Sequence, residues 1–401
     1  MTFFNQDNKY IKKYSTAMRK IRLVRLAIAL CAAPAALPLC ANSPYISKVY
    51  EYRPAPGQFV NDLPEYESGD TYATMIGKVE EQLCGDQMPG MISLGGFGGY
   101  VVFGFDHPVA NVRDEYDFKI YGNSFSAESA AAGGSCEPGA VMVSVDTNGN
   151  GLPDDEWYEL AGSEYHKPAT KHGFEITYFR PDEAKTKDPD PSNSAITDRT
   201  YVRWTSNYAD EPSGYIMRNI FHTQPYYPQW IDDAELVFKG TRIADNAELR
   251  NGTYYLSFMD WGYVDNRPNS VDPGFKIDWA VDADGNQVTL SHIDFVKVYT
   301  AVNQYCGWIG ETSTEIRGAE DLHPSAGIDA AAVAPTPKVA CSAGVLMVEA
   351  EAGCDAAVYT ACGVRVLEMR IDAGCNHIDV SMLPGGIYVL KMSTFAAKFL
   401  K

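Results

Sequence analysis

Signatures of the common catalytic centres are missing from this sequence. It has no GxSxG nucleophile turn, no HExxH zinc helix and no GxxxxGK[ST] phosphate loop, so serine-hydrolase, zincin and P-loop chemistry have no motif to rest on. Histidine is sparse: His107, His166, His172, His222, His292, His323 and His377 fall in separate segments without metal-ligand spacing. Positive charge is scarce too, with 33 Lys and Arg against 52 Asp and Glu and a formal net charge of -19, which argues against nucleic acid or an anionic membrane surface as partner. Long apolar runs are limited to one, LAIALCAAPAALPL (Leu26 to Leu39). It follows the basic stretch Met18-Arg19-Lys20, Arg22 and Arg25, reads as an export signal beginning at Met18, and is too short to span and stay. Cleavage is expected after Ala41, with lipidation at Cys40 as the alternative. Helical spacing is equally rare, and only YATMIGKVEEQL (Tyr72 to Leu83) sets Ile76, Val79 and Leu83 on one face.

What the chain does have is strand chemistry. Its 25 Tyr, 17 Phe and 6 Trp suit pleated surfaces. Segments such as YVVFGFD, AVMVSVD, FEITYFR, YVRWTS, ELVFKGTRI and IDFVKVYTAV recur with turn residues between them, which predicts an all-β fold: a large β-sandwich or jelly-roll-like domain over 42–325. FKIDWAV is read as a strand with Phe275, Ile277, Trp279 and Val281 inward and Lys276 and Asp278 outward. The glycines of SLGGFGGYVV precede a strand instead of joining a strand to a helix, so a bulged or edge-hugging strand is expected there, not a dinucleotide loop. SAGIDAAAVAPTPK is small, apolar and without period and marks a linker over 326–338, ahead of a small β-sandwich over 339–401.

DTNGNGLPDDEW, from Asp146 to Trp157, sits between two strand patterns and places oxygens at alternate loop positions. Asp146, Asn148, Asn150 and Asp154 supply side chains, the Leu152 carbonyl is available, and Gly151 makes the sharp turn. A Ca2+ ion needs six to eight oxygens at about 2.3–2.6 Å, and this alternation can deliver several of them. Trp157 stands where an EF-hand carries its bidentate Glu, so Asp155 or Glu156 would have to supply the missing carboxylate. The alternative is a metal-free turn, since Asp, Asn and Gly also cap their own turns. A carboxylate on an adjacent strand, Glu137 or Asp117, could complete a second calcium position, or could be a solvated edge acid.

Two aromatic loops are candidate ligand sites. FHTQPYYPQW holds Tyr226, Tyr227 and Trp230, and MDWGYVDNRPN holds Asp260, Trp261 and Tyr263 with Asp265 and Asn266. Rings beside carboxylates and carboxamides suit sugars or other ring-bearing ligands, and the same residues could equally be packing. A carboxylate pair near Trp261 would serve a glycoside hydrolase, whose geometry is spatial and invisible in sequence. A purely structural envelope protein is the third reading.

Two stretches carry resemblance to known families. AVYTACGVRVLEM (Ala357 to Met369), IDVSMLPGGIYVLKM (Ile378 to Met392) and the terminal KFLK resemble the carboxy-terminal sorting domain of the type IX secretion system. SLGGFGGYVVFGFDHPV, YDFKIYGNSF, EPGAVMVSVDTNGNGLPDDEWYELAGSEY, FKIDWAVDADGNQVTL and FVKVYTAVNQYCGWIGETSTEI are similar to a group of Bacteroidetes cell-surface proteins often called PKD-domain-containing. These resemblances imply a secreted or cell-surface, outer-membrane-associated protein. Its partners would be an extracellular small molecule or glycan and the outer-membrane uptake machinery, for glycans or corrinoids, or the secretion machinery. Cys341, Cys354, Cys362 and Cys375 crowd the carboxy-terminal block; they could form two disulfides with three connectivities, or remain thiols.

Overall fold

The computed structural model describes residues 42–127, 133–307, 310–324, 338–342, 344–350, 353–360, 363–392 and 396–401. The expected signal over 1–41 with Cys40, all of the expected linker but Lys338, and Cys362 lie outside the described residues. The fold is all-β, with antiparallel pairing throughout the described strands and one α-helix.

The largest sheet has six strands, in the order Lys48–Arg53, Tyr100–Ala110, His292–Thr300, Gly139–Ser144, Trp157–Leu160 and Ala280–Val281. Val296 faces Phe103 on one side and Val143 on the other. Because successive side chains alternate, Phe103, Val141, Val143, Val296 and Val298 all enter one core. Each such fully buried side chain contributes about 1.5–3 kcal/mol. The helix Tyr72–Leu83 closes this face with Met75, Val79 and Leu83, while Ile76 is half-buried. Thr71 caps it by accepting from the Thr74 amide at 3.3 Å, and Thr74 returns the bond to the Thr71 amide at 2.6 Å.

The opposite face of the large sheet packs on a second, four-stranded sheet in the order Ser213–Asn219, Ile196–Ser206, Lys171–Phe179 and Glu235–Arg242. Phe97 meets Phe174 edge-on at 5.0 Å and Tyr100 meets Phe238 at 6.4 Å, so the two sheets make a sandwich. Residues 338–401 pair among themselves in a three-stranded and a four-stranded sheet, around Leu346, Val348, Val358, Ile371 and Leu390. Cys341, Cys354 and Cys375 carry free thiols, so none of the three contributes to the disulfides considered from spacing.

Two local expectations are corrected. FKIDWAV is not a continuous strand: Ile277–Trp279 is a 3₁₀ turn before the short strand Ala280–Val281. The Asp117 carboxylate accepts from the Ile277 amide at 2.6 Å and the Val112 amide at 2.7 Å, and Asn111 holds Asp278, which together bend the segment; Phe275, Ile277 and Val281 still point inward, while Trp279 is half-buried. The Gly95–Gly99 run is a loop that leads into the strand Tyr100–Ala110, which is bulged, with a register shift against His292–Thr300 between Ile293 and Phe295, but is interior and not an edge. A Cβ on Gly99 would lie 1.9 Å from the Leu94 carbonyl oxygen and 2.2 Å from the Ala55 nitrogen, so the glycine permits a close backbone crossing.

Candidate binding cleft with an acidic floor

Three carboxylates from distant parts of the chain meet under the large sandwich. Glu137 precedes the strand Gly139–Ser144, Asp265 follows Val264 in the DWGYVDN loop, and Glu315 lies in the short strand Glu315–Ile316 paired with Ile92–Ser93. The backbone fixes their approach: Gly139 and Val264 exchange hydrogen bonds at 3.0 and 2.9 Å, and the Glu137 amide donates to the Asp265 carbonyl at 2.9 Å. Asp265 adopts a left-handed backbone (φ 54°), which Asp tolerates better than most residues, and its carboxylate accepts from the Glu315 amide at 3.1 Å. Thr314 Oγ1 donates to the Glu137 carbonyl at 2.8 Å, and Ser313 Oγ donates to Glu315 Oε1 at 2.9 Å. One oxygen from each of the three acids lies within 4.8 Å of the others.

Asp265 and Glu315 are each 2% exposed, and among the described residues none of the three acids has a Lys or Arg ion pair. Burial, and after it the charge of Asp265, pushes Glu315 up to about 8. Burial pushes Asp265 up to about 7, and burial with the charges of Glu315 and Asp265 raises Glu137 well above the usual carboxylate range. Three bare carboxylates this close cannot all ionise, so the cluster either retains protons or takes a cation. Its all-oxygen donor set matches a hard divalent ion better than zinc or copper.

Glu137 and Glu315 open into a cleft of about 470 Å³ whose apolar lining includes Phe59, Met91, Phe125 and Phe221 and whose amides come from Gln58 and Asn219. Phe125 and Phe221 are 58% and 60% exposed, a large apolar presentation beside buried acids. His222 stands edge-on to Phe59 at 4.6 Å, and burial lowers its pKa, which favours the neutral ring. Below the cleft, Asn219 Nδ2 donates to Gln58 Oε1 at 2.7 Å, and the Asn219 carboxamide oxygen accepts from the amides of Phe221 and His222. A fourth buried acid, Glu311, binds the Gln58 amide through Oε1 and leaves Oε2 without a partner; burial pushes it up to about 7.

The residues singled out from sequence fall in three other places. In the DTNGNG loop, Asp146 accepts from the amides of Asn150 (3.0 Å) and Gly151 (2.8 Å). Asp154 accepts from the side-chain amides of Asn148 and Asn150, which hold its carboxyl below the usual range. Asn148 and Asn150 also accept from backbone amides two residues on, Leu152 is 49% exposed, Asp155 is engaged by Thr147 and Asn148, and Glu156 accepts from Tyr158. The loop thus closes on its own side chains.

Tyr226 and Tyr227 are 0% and 2% exposed and belong to the inter-sheet core, with the Tyr226 hydroxyl accepting from the Asn219 amide and the Tyr227 hydroxyl donating to the Asp233 carbonyl. Trp230 stacks on Tyr52 at 5.8 Å and bridges both cores. Tyr226 and Tyr227 are packed, Trp230 is half-buried between Tyr52 and Tyr66, and none of the three is among the residues lining the cleft. Asp260, Trp261 and Tyr263 line a separate hollow of about 310 Å³, where Trp261 is 41% exposed against Trp279 and Tyr263 is buried.

Glu315 and Glu311 escaped sequence reading. Their only local trace is ETSTE, two acids around three hydroxyls, separated by eight residues from the end of the IDFVKVYTAV strand pattern, and those hydroxyls are buried at 2%, 0% and 0%. No family model matches the chain, and no curated protein matches it. Among solved structures, the crystal structure of Ruminococcus gnavus beta-glucuronidase in complex with uronic isofagomine is similar over 73% of this chain and 45% of that one, at 10% identity and a TM-score of 0.13. The chain thus spans less than half of that protein's length, and so low a score carries no argument about fold or activity.

Proposed function

We propose that this is a secreted or cell-surface ligand-binding protein, associated with the outer membrane, that captures a small extracellular molecule or glycan in the acid-floored cleft. The observation that carries the reading is the coincidence of an uncompensated carboxylate cluster with a cleft of ligand size and two exposed phenylalanines at its mouth. Phe125 offers a stacking face, a protonated acid floor donates to and accepts from hydroxyls, and a cation held there would coordinate them. Calcium has two candidate seats, the DTNGNG loop and the Glu137–Asp265–Glu315 floor. The carboxy-terminal residues 339–401 would address the chain to the type IX secretion route, with 1–41 as signal.

Binding of the purified chain to a panel of glycans and corrinoids tests this directly. Saturable binding without turnover is expected, and Phe221→Ala or Glu315→Gln should weaken it by about 1–3 kcal/mol while the fold is retained. Unchanged affinity in both variants would move the site elsewhere. A second reading, a carbohydrate-active hydrolase, draws on the same raised Glu137–Glu315 pair, since a general acid needs a carboxyl protonated near neutral pH. Product release from a bound glycan would establish it, and silence across the panel would leave a structural envelope protein. Cell fractionation should find the mature chain outside the inner membrane; a full-length cytoplasmic pool would contradict export.

A further inference from the structure

The hollow at Trp261 lies outside the acid-floored cleft and has a chemistry of its own. It holds about 310 Å³, and Asp260, Trp261, Arg267 and Asp272 are among the residues that line it. One loop supplies the first three, and Asn266 closes its neck. The Asn266 carboxamide oxygen accepts from the Met259 amide at 2.7 Å, and its Nδ2 donates to the Met259 carbonyl at 3.0 Å. Asp260 and Arg267, the next residue after each, therefore leave the neck from neighbouring points. The loop between them is held as well. Ser163 Oγ accepts from the amides of Asp260 at 3.2 Å and Trp261 at 3.4 Å, and Val264 is bonded to Gly139. Gly262 (φ 85°) crosses Gly162 so closely that a Cβ there would lie 2.6 Å from the Gly162 Cα.

Opposite charges on adjacent stems gain most simply by pairing with each other. Asp260 and Arg267 do not. Among the described residues the Arg267 guanidinium has no hydrogen bond and no ion pair; it stands 5.4 Å from the Phe258 ring centroid and meets Asp272 only through the field of its charge. The Asp260 carboxylate has neither kind of bond, and the cation in its field, Lys167, is already paired with Glu164 at 2.7 Å. Other charges around the hollow are engaged by the protein. Asp272 accepts from the Gly274 amide at 2.9 Å, Lys119 donates to the Asn269 and Asp272 carbonyls, and Lys276 donates to the Asp114 carbonyl at 2.9 Å.

We propose that this hollow is a second ligand site, independent of the cleft, for the zwitterion of a free amino acid. The ligand's carboxylate meets Arg267, whose planar fork is always charged and matches a carboxylate with two parallel hydrogen bonds. Its ammonium meets Asp260. A ligand with one charge would use one of these side chains and leave the other in water, whereas a zwitterion uses both. Trp261, 41% exposed and backed by Trp279 at 4.6 Å, adds an apolar wall for the ligand's side chain. Size points the same way. The volume is at the small end of ligand sites, about 300–1,000 Å³, and a peptide would carry its two terminal charges on different residues.

The test removes one charge at a time. The purified full chain is titrated with the standard free amino acids, read by tryptophan fluorescence and by heat. The best ligand is then compared with its N-acetyl form, which lacks the ammonium, and its carboxamide form, which lacks the carboxylate. Saturable binding of at least one amino acid is expected, with a loss of about tenfold or more in either blocked form, since hydrogen bonds between charged groups contribute at least that much. Arg267→Gln should erase the preference over the carboxamide, and Asp260→Asn the preference over the N-acetyl form, both at wild-type melting temperature. The blocked ligands need only the wild type, so they decide the matter even where a variant melts early. Equal affinity for either blocked form would overturn the proposal, as would unchanged preferences in both variants or no binding of any amino acid. The cleft reading stands in each of those cases.

Discussion

His107 shows how one side chain ties distant segments and makes stability depend on pH. Its Nδ1 lies 2.6 Å from Asp106 and its Nε2 2.7 Å from Asp321, with the His107 side chain 6% and the Asp321 side chain 1% exposed. Burial alone would lower the imidazole's pKa, but the two carboxylates outweigh it and the net shift is upward from 6.5. A cation favoured in the folded state binds its proton more tightly there than in the unfolded chain. Its stabilisation is therefore complete below about pH 6.5 and disappears as pH rises through the raised value. Melting temperature measured from pH 6 to 9 should fall less steeply in His107→Gln than in the wild type, and parallel slopes would refute the pairing. Removing the ring altogether, as in His107→Ala, strands buried Asp321 and should cost about 3 kcal/mol. The same residue scale explains what sequence could and could not reveal. Tyr226 and Trp261 look alike as loop aromatics, yet one is wholly buried and the other 41% exposed, because proline-bounded loops can fold inward as readily as outward. Glu137 drew attention by its place beside the loop, but its partners come from positions 265 and 315, and no spacing rule links them.

Among the elements, the strands and the helix Tyr72–Leu83 were legible because their periods are local, two residues and 3.6. The exceptions have local causes as well. FKIDWAV keeps the inward burial of Phe275, Ile277 and Val281 but bends, since a buried carboxylate 160 residues away in the chain, Asp117, offers its amides a better partner than a neighbouring strand. The DTNGNG loop was legible as a turn, and its self-capping hydrogen bonds build that turn; the same oxygens made it a cation candidate. Calcium in the folded loop would stabilise by RT ln(1 + [L]/Kd), about 2.7 kcal/mol at a hundredfold excess over the dissociation constant. Melting should therefore drop in chelator. If the loop is the seat, Asp146→Ala or Asp154→Ala removes the response; if the acid floor is, Glu315→Gln removes it instead. Identical melting in calcium and chelator for the wild type would exclude both.

For the molecule as a whole, the described strands between 338 and 401 pair with one another and share a core of their own, with Tyr388 stacked on Phe399 at 5.8 Å. Deleting 326–401 should leave the melting temperature of the remaining chain within a few degrees of the intact protein, and a large drop would show that the two parts stabilise each other. The all-β class could be read from strand rhythm, but not the strand order, which depends on which distant segments meet. That order has a kinetic side. The strand Tyr100–Ala110 lies between Lys48–Arg53 and His292–Thr300, so that Tyr100 pairs with Tyr299 and the central ladder waits for a segment late in the chain. Loop closure of that length makes refolding slow, on the order of milliseconds to seconds or longer. A growing chain cannot assemble this sheet until its second half has emerged, so the early strand Tyr100–Ala110 waits for its central partner while roughly two hundred residues are still being added.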